Sequence, residues 1–503
     1  MPVHLEHEEP ERPSRTRIEL GYLVRIGLIS ILLFAGFFAA VLVWRSRHPE
    51  KEKLTLRVFP EGKDQIAYLR SKRWSVPEPL PGDYVEVKGS FTDLLDLLRH
   101  GIPTAAVVNV VRQDTVPPFY PDYEGLMARL DSLIALRPEI VRKVAVGRTA
   151  FRKRTIWGFE VSAGFGGLRE KPAVLFMGTL HAREPAGAFV CLGILRDLLE
   201  RADDPRVHNW LQGLDIWIVP VVNPDGYDYV IHRARAFPWW RKNLRDNNGD
   251  SRFEPEVDGV DLNRNFDFDW RKGGSGKHFT WFYRGPAPAS EPEVQAVQRL
   301  ARKERFIFAI DFHSFGQMVM FPWARELTPP DGNLLRSLAQ ELARRIPRLK
   351  DKKTYRIVAL DGQAGQSANW LYARFRTMAF IVEVGSDYFP DRPTLEKLVR
   401  NQLPAVHFAL DRALGASVRG HVREAGSGKP LAAMIQIGDD FSPIVSPTVS
   451  DSVTGFFCRL VAPGEYGVTA MCDGFRTKTV PGIVVRKGRP ATVEIRLSRL
   501  STN

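Results

Sequence analysis

Between residues 118 and 415, continuous apolar runs rich in β-branched residues alternate with helical patterns, and this alternation constrains the fold more than any other feature. The runs "AVLFMG", "LDIWIVPVV", "RFIFAIDF" and "MAFIVEV" are separated by helical stretches that start near Pro185, Ser290 and Gly332. A strand that is apolar at every position suits a sheet covered on both faces. The pattern therefore predicts an α/β domain with a mixed, mostly parallel sheet and helices on both faces. Such sheets bind ligands beyond the carboxyl ends of their strands. His181, Asn223, His313 and Glu383 each stand at or just past the end of one run, so four pieces of chain are expected to bring polar groups to one edge.

At 503 residues the chain is too long for one core, and two to four domains are expected. Residues 1–25 read as an N-terminal tail. Residues 26–44 carry no charge over a length that spans a bilayer as one helix. The poor small-residue cleavage site in "FAAVLVWRSR" favours an uncleaved anchor over a cleaved signal segment. The chain beyond it is expected outside the cytoplasm, periplasmic or extracellular, or secreted if the segment is cleaved. Arginines and lysines flank the segment on both sides, so charge does not orient it. Residues 54–112 read strand, helix, strand, helix, strand, a small open α/β sandwich, and "RQDTVPPFYPDY" follows as a linker. Residues 417–498 break into short runs split by Gly, Pro and Asp, which predicts an antiparallel β-sandwich.

The formal charge of +13 is scattered along the chain without a basic, aromatic-interleaved module, so no nucleic-acid partner is expected. Three cysteines make no disulfide framework. Cys191 falls in a helical apolar pattern. Reading "VAPGEY" as a hairpin turn puts Cys458 opposite about residue 467, away from Cys472. "RDNNGDSRF" spaces Asp246, Asn248 and Asp250 as calcium loops do but lacks the distal bidentate Glu, so it reads as a polar turn.

His181 and Glu184 stand three apart on a strand-to-helix turn, and His313 ends a neighbouring run. Two imidazoles and one carboxylate form the ligand set of an open catalytic zinc site, with one position left for water. One zinc per chain is expected. Glu383, the single carboxylate ending "FIVEV", suits a general base and acid whose proton affinity rises among apolar neighbours. Arg241 in "WWRKN" is the candidate to stabilise an oxyanion. Asn263 and Arg264 in "GVDLNRNF" pair an amide with a planar fork that can grip a carboxylate by two bonds.

The ordered set "HAREP", "VVNPDGY", "WRKN", "GVDLNRNF", "YRGPAPASEPE", "DFHSFGQMVMFPW" and "FIVEV" resembles the zinc carboxypeptidases of the carboxypeptidase A/B type. The resemblance implies zinc on His181, Glu184 and His313, with Glu383 as general base and acid. Arg241 would polarise the scissile carbonyl, Asn263 and Arg264 would hold the terminal carboxylate, and Arg183 and Ser314 would line the approach subsites. Residues 54–112 resemble the family's inhibitory pro-segment and 417–498 its transthyretin-like module. The expected function is removal of C-terminal residues from peptides by a monomeric proenzyme, with activation by cleavage between Arg112 and Tyr123. The same chemistry on cell-wall peptides and a silent binder of carboxylate termini are the alternatives.

The chain departs from the family where a mobile tyrosine is usual: Asp361 stands there, and no tyrosine lies between Tyr355 and Tyr372. Asn369 replaces an acid in the neighbouring motif. Ala324 and Ala368 are small and lean toward neutral or aromatic C-terminal residues, whereas Asp361 or Glu326 reaching in would favour a basic one.

Overall fold

The computed structural model describes parts of residues 54–107 and then 116–500, apart from 166–169, 234–238, 325–328 and 362–363. The 26–44 segment lies outside the described residues; among those described, no helix is long and apolar enough to cross a membrane. The chain divides into two compact units near residue 110.

In the first unit, strands β1 (Leu54–Val58), β2 (Val85–Gly89) and β3 (Thr104–Val107) form an antiparallel sheet in the order β2-β1-β3, accompanied by helix α1 (Lys63–Ser71). Leu56 and Val58 point one way from β1, as the two-residue period requires, and are buried with Val85, Val87, Leu69 and Leu97. In the stretch read as a second helix, Asp93, Asp96, Leu97 and Arg99 are helical.

In the second unit, the described residues form an eight-stranded sheet from β4 (Val141–Arg148), β5 (Thr155–Val161), β6 (Ala173–Gly178), β7 (Asp215–Val219), β8 (Phe308–His313), β9 (Met318–Ala324), β10 (Arg356–Asp361) and β11 (Met378–Glu383). Their order is β10-β9-β11-β8-β6-β7-β5-β4. The central strands β11, β8, β6 and β7 run parallel, and the sheet reverses at β9 and at β5. It is thus the mixed sheet expected of the apolar runs. Among the described residues eight helices flank it: α2 (Tyr123–Ile134), α3 (Ala186–Glu200), α4 (Pro205–Gly213), α5 (Pro224–Arg233), α6 (Pro292–Glu304), α7 (Gly332–Ala343), α8 (Ser367–Phe375) and α9 (Arg392–Leu414).

The two faces have separate cores. Val174, Phe176, Ile310, Phe312, Phe380 and Val382 pack with Val190 and Leu195 of α3 and with Leu398 and Val406 of α9. Leu175, Met177, Ala309 and Ile381 pack on the other side with Val297 of α6 and Trp370 of α8. Counting by two from Ala309 and Ile381 puts Asp311, His313 and Glu383 on this second face. They are also in register, Ile381 opposite Asp311 and Glu383 opposite His313. The strand ends that carry chemistry therefore open beside α8.

Residues 417–498 form a sandwich of two sheets, β15-β12-β18 and β14-β13-β16-β17, from β12 (Ser417–Glu424), β13 (Met434–Ile437), β14 (Thr448–Val449), β15 (Phe456–Leu460), β16 (Gly464–Met471), β17 (Lys478–Val485) and β18 (Ala491–Leu497). Val418, Val422, Ile435, Phe457, Val468 and Ile495 fill its core. Two sequence expectations fail here. The sandwich is not wholly antiparallel, because its first and last strands, β12 and β18, pair in parallel. Nor is "VAPGEY" a hairpin turn, because β15 and β16 belong to different sheets and the turn crosses between them. The three cysteines are free, and Cys191 is buried in α3.

Candidate active site

The chain leaving β6 turns sharply at Thr179 (φ 50°) and delivers His181 and Glu184 before α3 begins. Two glycines make this close approach possible. A Cβ on Gly178 would lie 2.7 Å from the Gly187 carbonyl carbon, and one on Gly187 would lie 2.5 Å from the Phe312 oxygen, so the head of α3 presses against β6 and β8. The His181 loop is brought to the end of β8, where His313 stands.

There, His181 Nδ1 and His313 Nδ1 are 3.0 Å apart. Glu184 places Oε1 3.0 Å from the first and Oε2 2.9 Å from the second. All three side chains are buried. Three donor groups thus converge within 4.8 Å of one another, and two imidazole nitrogens with one carboxylate fit zinc. The far sides of both rings meet carboxylates. His181 Nε2 lies 3.2 Å from Asp261 Oδ1, and His313 Nε2 lies 2.9 Å from Asp311 Oδ2, the latter an ion-pair contact rather than an aligned hydrogen bond. A carboxylate behind a ligating imidazole orients the ring and raises its basicity.

Asp261, fully buried, also accepts from Arg241 Nε at 2.9 Å and from the Asn263 amide at 3.0 Å. Burial alone would raise its carboxyl; the Arg241 and Arg264 charges reverse this and hold it well below the usual carboxylate range. Arg241 is thereby fixed with Nη1 3.7 Å from Glu184 Oε1, at the rim of the trio. Arg264 donates to the Asn263 carbonyl at 2.7 Å, and the Arg241 and Arg264 guanidiniums both lie over the Phe282 ring, 5.5 and 5.7 Å from its centroid. Asn263 Oδ1 accepts from the Ser367 amide at the head of α8.

Glu383 is half-buried beside this cluster. Its carboxyl is pushed up to about 7, first by burial and then by the Glu184 charge. Ser314 donates its amide to Glu184 Oε2 at 3.1 Å, while its hydroxyl is buried without a hydrogen-bond partner among the described residues. Arg183 lies farther out. It donates to the Trp239 carbonyl at 3.0 Å, with its guanidinium over Tyr388 (4.8 Å) and Trp281 (5.7 Å). The structure thus brings Arg241, Asn263, Arg264, Ser314 and Glu383 up to the trio, with Arg183 farther out.

Several participants escaped the sequence reading. Asp261 stood unassigned inside "GVDLNRNF", two residues before Asn263. Asp311 carried a signal as a carboxylate two positions before His313 on one strand face. Tyr388 and Phe282 carried none. Asn223, counted toward the site edge, serves the backbone instead. Its amide donates to the Leu180 and Lys242 carbonyls and accepts from the Gly226 amide, joining the His181 loop to the Arg241 loop and starting α5. Of the tyrosines near the vacant family position, Tyr355 is pinned by the Gly385 amide and Gln402, and Tyr372 bonds Asp331. Neither is free to swing. Ala368 is buried in the α8 layer; Asp361 and Ala324 are paired in backbone register, and Glu326 lies outside the described residues. The Asp246 carboxylate accepts from the Gly249 and Ser251 amides, the polar turn expected.

The zinc carboxypeptidase family profile matches residues 126–405. The chain belongs to the zinc carboxypeptidase family. Residues 417–498 match the carboxypeptidase regulatory-like domain. Carboxypeptidase A4 of Mus musculus is 31% identical over 273 residues, 53% of this chain and 62% of that protein. Carboxypeptidase A2 of Rattus norvegicus is 32% identical over 260 residues, 50% of this chain and 59% of that protein. The chain thus spans about three-fifths of the length of the curated relatives it matches. Among solved structures, carboxypeptidase A from Helicoverpa armigera superposes with a TM-score of 0.56 at 19% identity, over 72% of this chain and 97% of that one, a likeness of fold. This zinc carboxypeptidase-family chain therefore joins a matched zinc carboxypeptidase domain and a matched regulatory-like β module.

Proposed function

We propose that this protein is a zinc-dependent carboxypeptidase that releases single residues from peptide C-termini. The observation that carries the reading is the placement of Arg241, Asn263 and Arg264 at the same strand edge as the His181, Glu184 and His313 trio. The trio alone fits any zinc hydrolase; a carboxylate grip beside it restricts cleavage to the last peptide bond.

Asn263 and Arg264 hold the terminal carboxylate, and the Phe282 ring keeps Arg264 in place. Arg241, locked by Asp261, faces the scissile carbonyl oxygen and stabilises the charge that develops there; loss of such a donor typically costs about 3 to 4 kcal/mol of barrier. Held by His181, Glu184 and His313, zinc would supply Lewis acidity to the carbonyl and lower the pKa of water. Glu383 takes one proton as water oxygen bonds the carbonyl carbon, then passes it to the departing amine as the C–N bond breaks. Its raised pKa lets it accept and return that proton near neutrality. The Asp361 departure is expected to weaken substrate binding rather than turnover, and the small Ala368 supports a neutral or aromatic terminal residue.

The reading includes a monomer anchored through residues 26–44 with its catalytic domain outside the cytoplasm, supported by that segment's uncharged length. It also includes suppression by residues 54–112 until cleavage between Arg112 and Tyr123. Digesting a peptide library with the cleaved chain and reading products by mass spectrometry tests the core claim. Single C-terminal residues should leave peptides with a free carboxylate and stay on amidated ones. Zinc binding without any release, or equal cleavage of amidated peptides, would overturn it.

A further inference from the structure

Asp311 sits in the middle of a central strand and is 2% exposed. Its register partners, Met177 and Ile381, are apolar, so hydrophobic packing gives no reason for a carboxylate there. Oδ2 accepts from Ser367 Oγ at 2.6 Å and contacts His313 Nε2 at 2.9 Å, while Oδ1 has no partner among the described residues. One oxygen thus serves both the metal-ligand ring and the first residue of α8.

Ser367 carries the connection further, since its amide donates to Asn263 Oδ1 at 2.9 Å. On the opposite side, His181 reaches the same residue through Asp261, which accepts from the Asn263 amide. Two routes therefore run from the two imidazoles to one turn, Leu262–Arg264, which carries the carboxylate grip. Among the described residues, Asp311 is the partner on the far side of the His313 ring. With Nδ1 turned to a metal, the ring proton falls on Nε2, toward Asp311.

We propose that Asp311 is a positioning residue that sets the His313 ring and, through Ser367, ties the metal site to the Asn263–Arg264 turn. The distance between metal and gripped carboxylate decides whether the last peptide bond lies over the metal, and misplacement by about 1 Å can cost about 100-fold. The link to substrate rests on the proposed peptidase reading; the link to the metal does not.

The test uses the full chain, with zinc affinity read by competition against a chromogenic chelator. Asp311→Asn should weaken zinc binding by about 10- to 100-fold, with the circular dichroism of the metal-free protein unchanged. Ser367→Ala should weaken it by a smaller factor and raise KM more than it lowers kcat. Unchanged zinc affinity in Asp311→Asn, or unchanged zinc affinity and KM in Ser367→Ala, would overturn the proposal. The second variant carries the test if the first does not fold. Weakened zinc binding in a chain that never releases a residue would support the role of Asp311 at the metal while refuting the peptidase reading.

Discussion

Asp331, Arg376, Asp440 and Arg459 form a largely buried ionic cluster where the α/β domain meets the C-terminal sandwich, and it uses the same kinds of groups as the His181 site. Arg459 bonds Asp331 at 2.8 Å and pairs with Asp440; Arg376 lies 3.2 Å from Asp331 and 3.3 Å from Asp440. Two cations and two anions close on each other. Around His181, Asp261 is paired with Arg241 while Asp311 meets Ser367 and His313, and Nδ1 of both rings and the Glu184 carboxylate turn toward one shared point. Buried charge by itself thus marks no function. What sets the His181 site apart is that three donor groups converge on one point.

Metal removal should break this contrast most sharply. Stripping zinc with a chelator should abolish peptide hydrolysis and lower the melting temperature, because an ion that binds only the folded chain stabilises it; adding zinc should restore both. A metal-free protein that melts and hydrolyses as before would show the trio to be as closed as the Arg459 cluster. Next in size, Glu383→Gln should cut kcat by about 100- to 10,000-fold with zinc content retained, measured by metal analysis beside initial rates.

The closed cluster should respond in the opposite sense. Arg459→Met removes one of two arginine partners from two half-buried carboxylates and should cost at most about 3 to 5 kcal/mol in denaturant unfolding, with kcat and KM unchanged where the protein is folded. A change in KM without a loss of stability would mean that the sandwich junction feeds the active site. The smallest effect concerns Glu293, fully buried beside Glu291, whose carboxyl is pushed up to about 8 by burial and then by its neighbour. A raised acid pKa means that the folded state holds the proton while the unfolded chain loses it. The stability present below about 4.5 is then lost as pH rises toward 8. Glu293→Gln should mimic the protonated form and flatten this slope, gaining on the order of 1 to 3 kcal/mol at pH 8 relative to pH 5. Parallel unfolding curves for parent and variant at both pH values would refute it.

The trio and Glu383 were legible because each follows an apolar run that could only be a buried strand, and polar groups at such ends have few structural uses. Asp261 and Asp311 were not, because their role lies in which ring nitrogen they face, and that depends on the register of strands far apart in sequence. Asn223 misled for the same reason: its position past β7 looked like a site position, but three backbone partners occupy its amide. The β12–β18 pairing was hidden because local alternation reports which face is buried and says nothing about strand direction. Tyr355 could be seen to lie upstream of the vacant position, but only the fold shows that Gly385 and Gln402 hold it there.

Sequence alone determined the class of sheet and pointed to the donor types of the trio, since hydrophobic period and side-chain chemistry are local properties. Tertiary structure decided the rest: that both imidazoles turn Nδ1 inward, that Asp261 and Asp311 stand behind them, and that both routes end at Asn263. Those facts depend on distances between strand ends brought together only when the two faces of the sheet are packed.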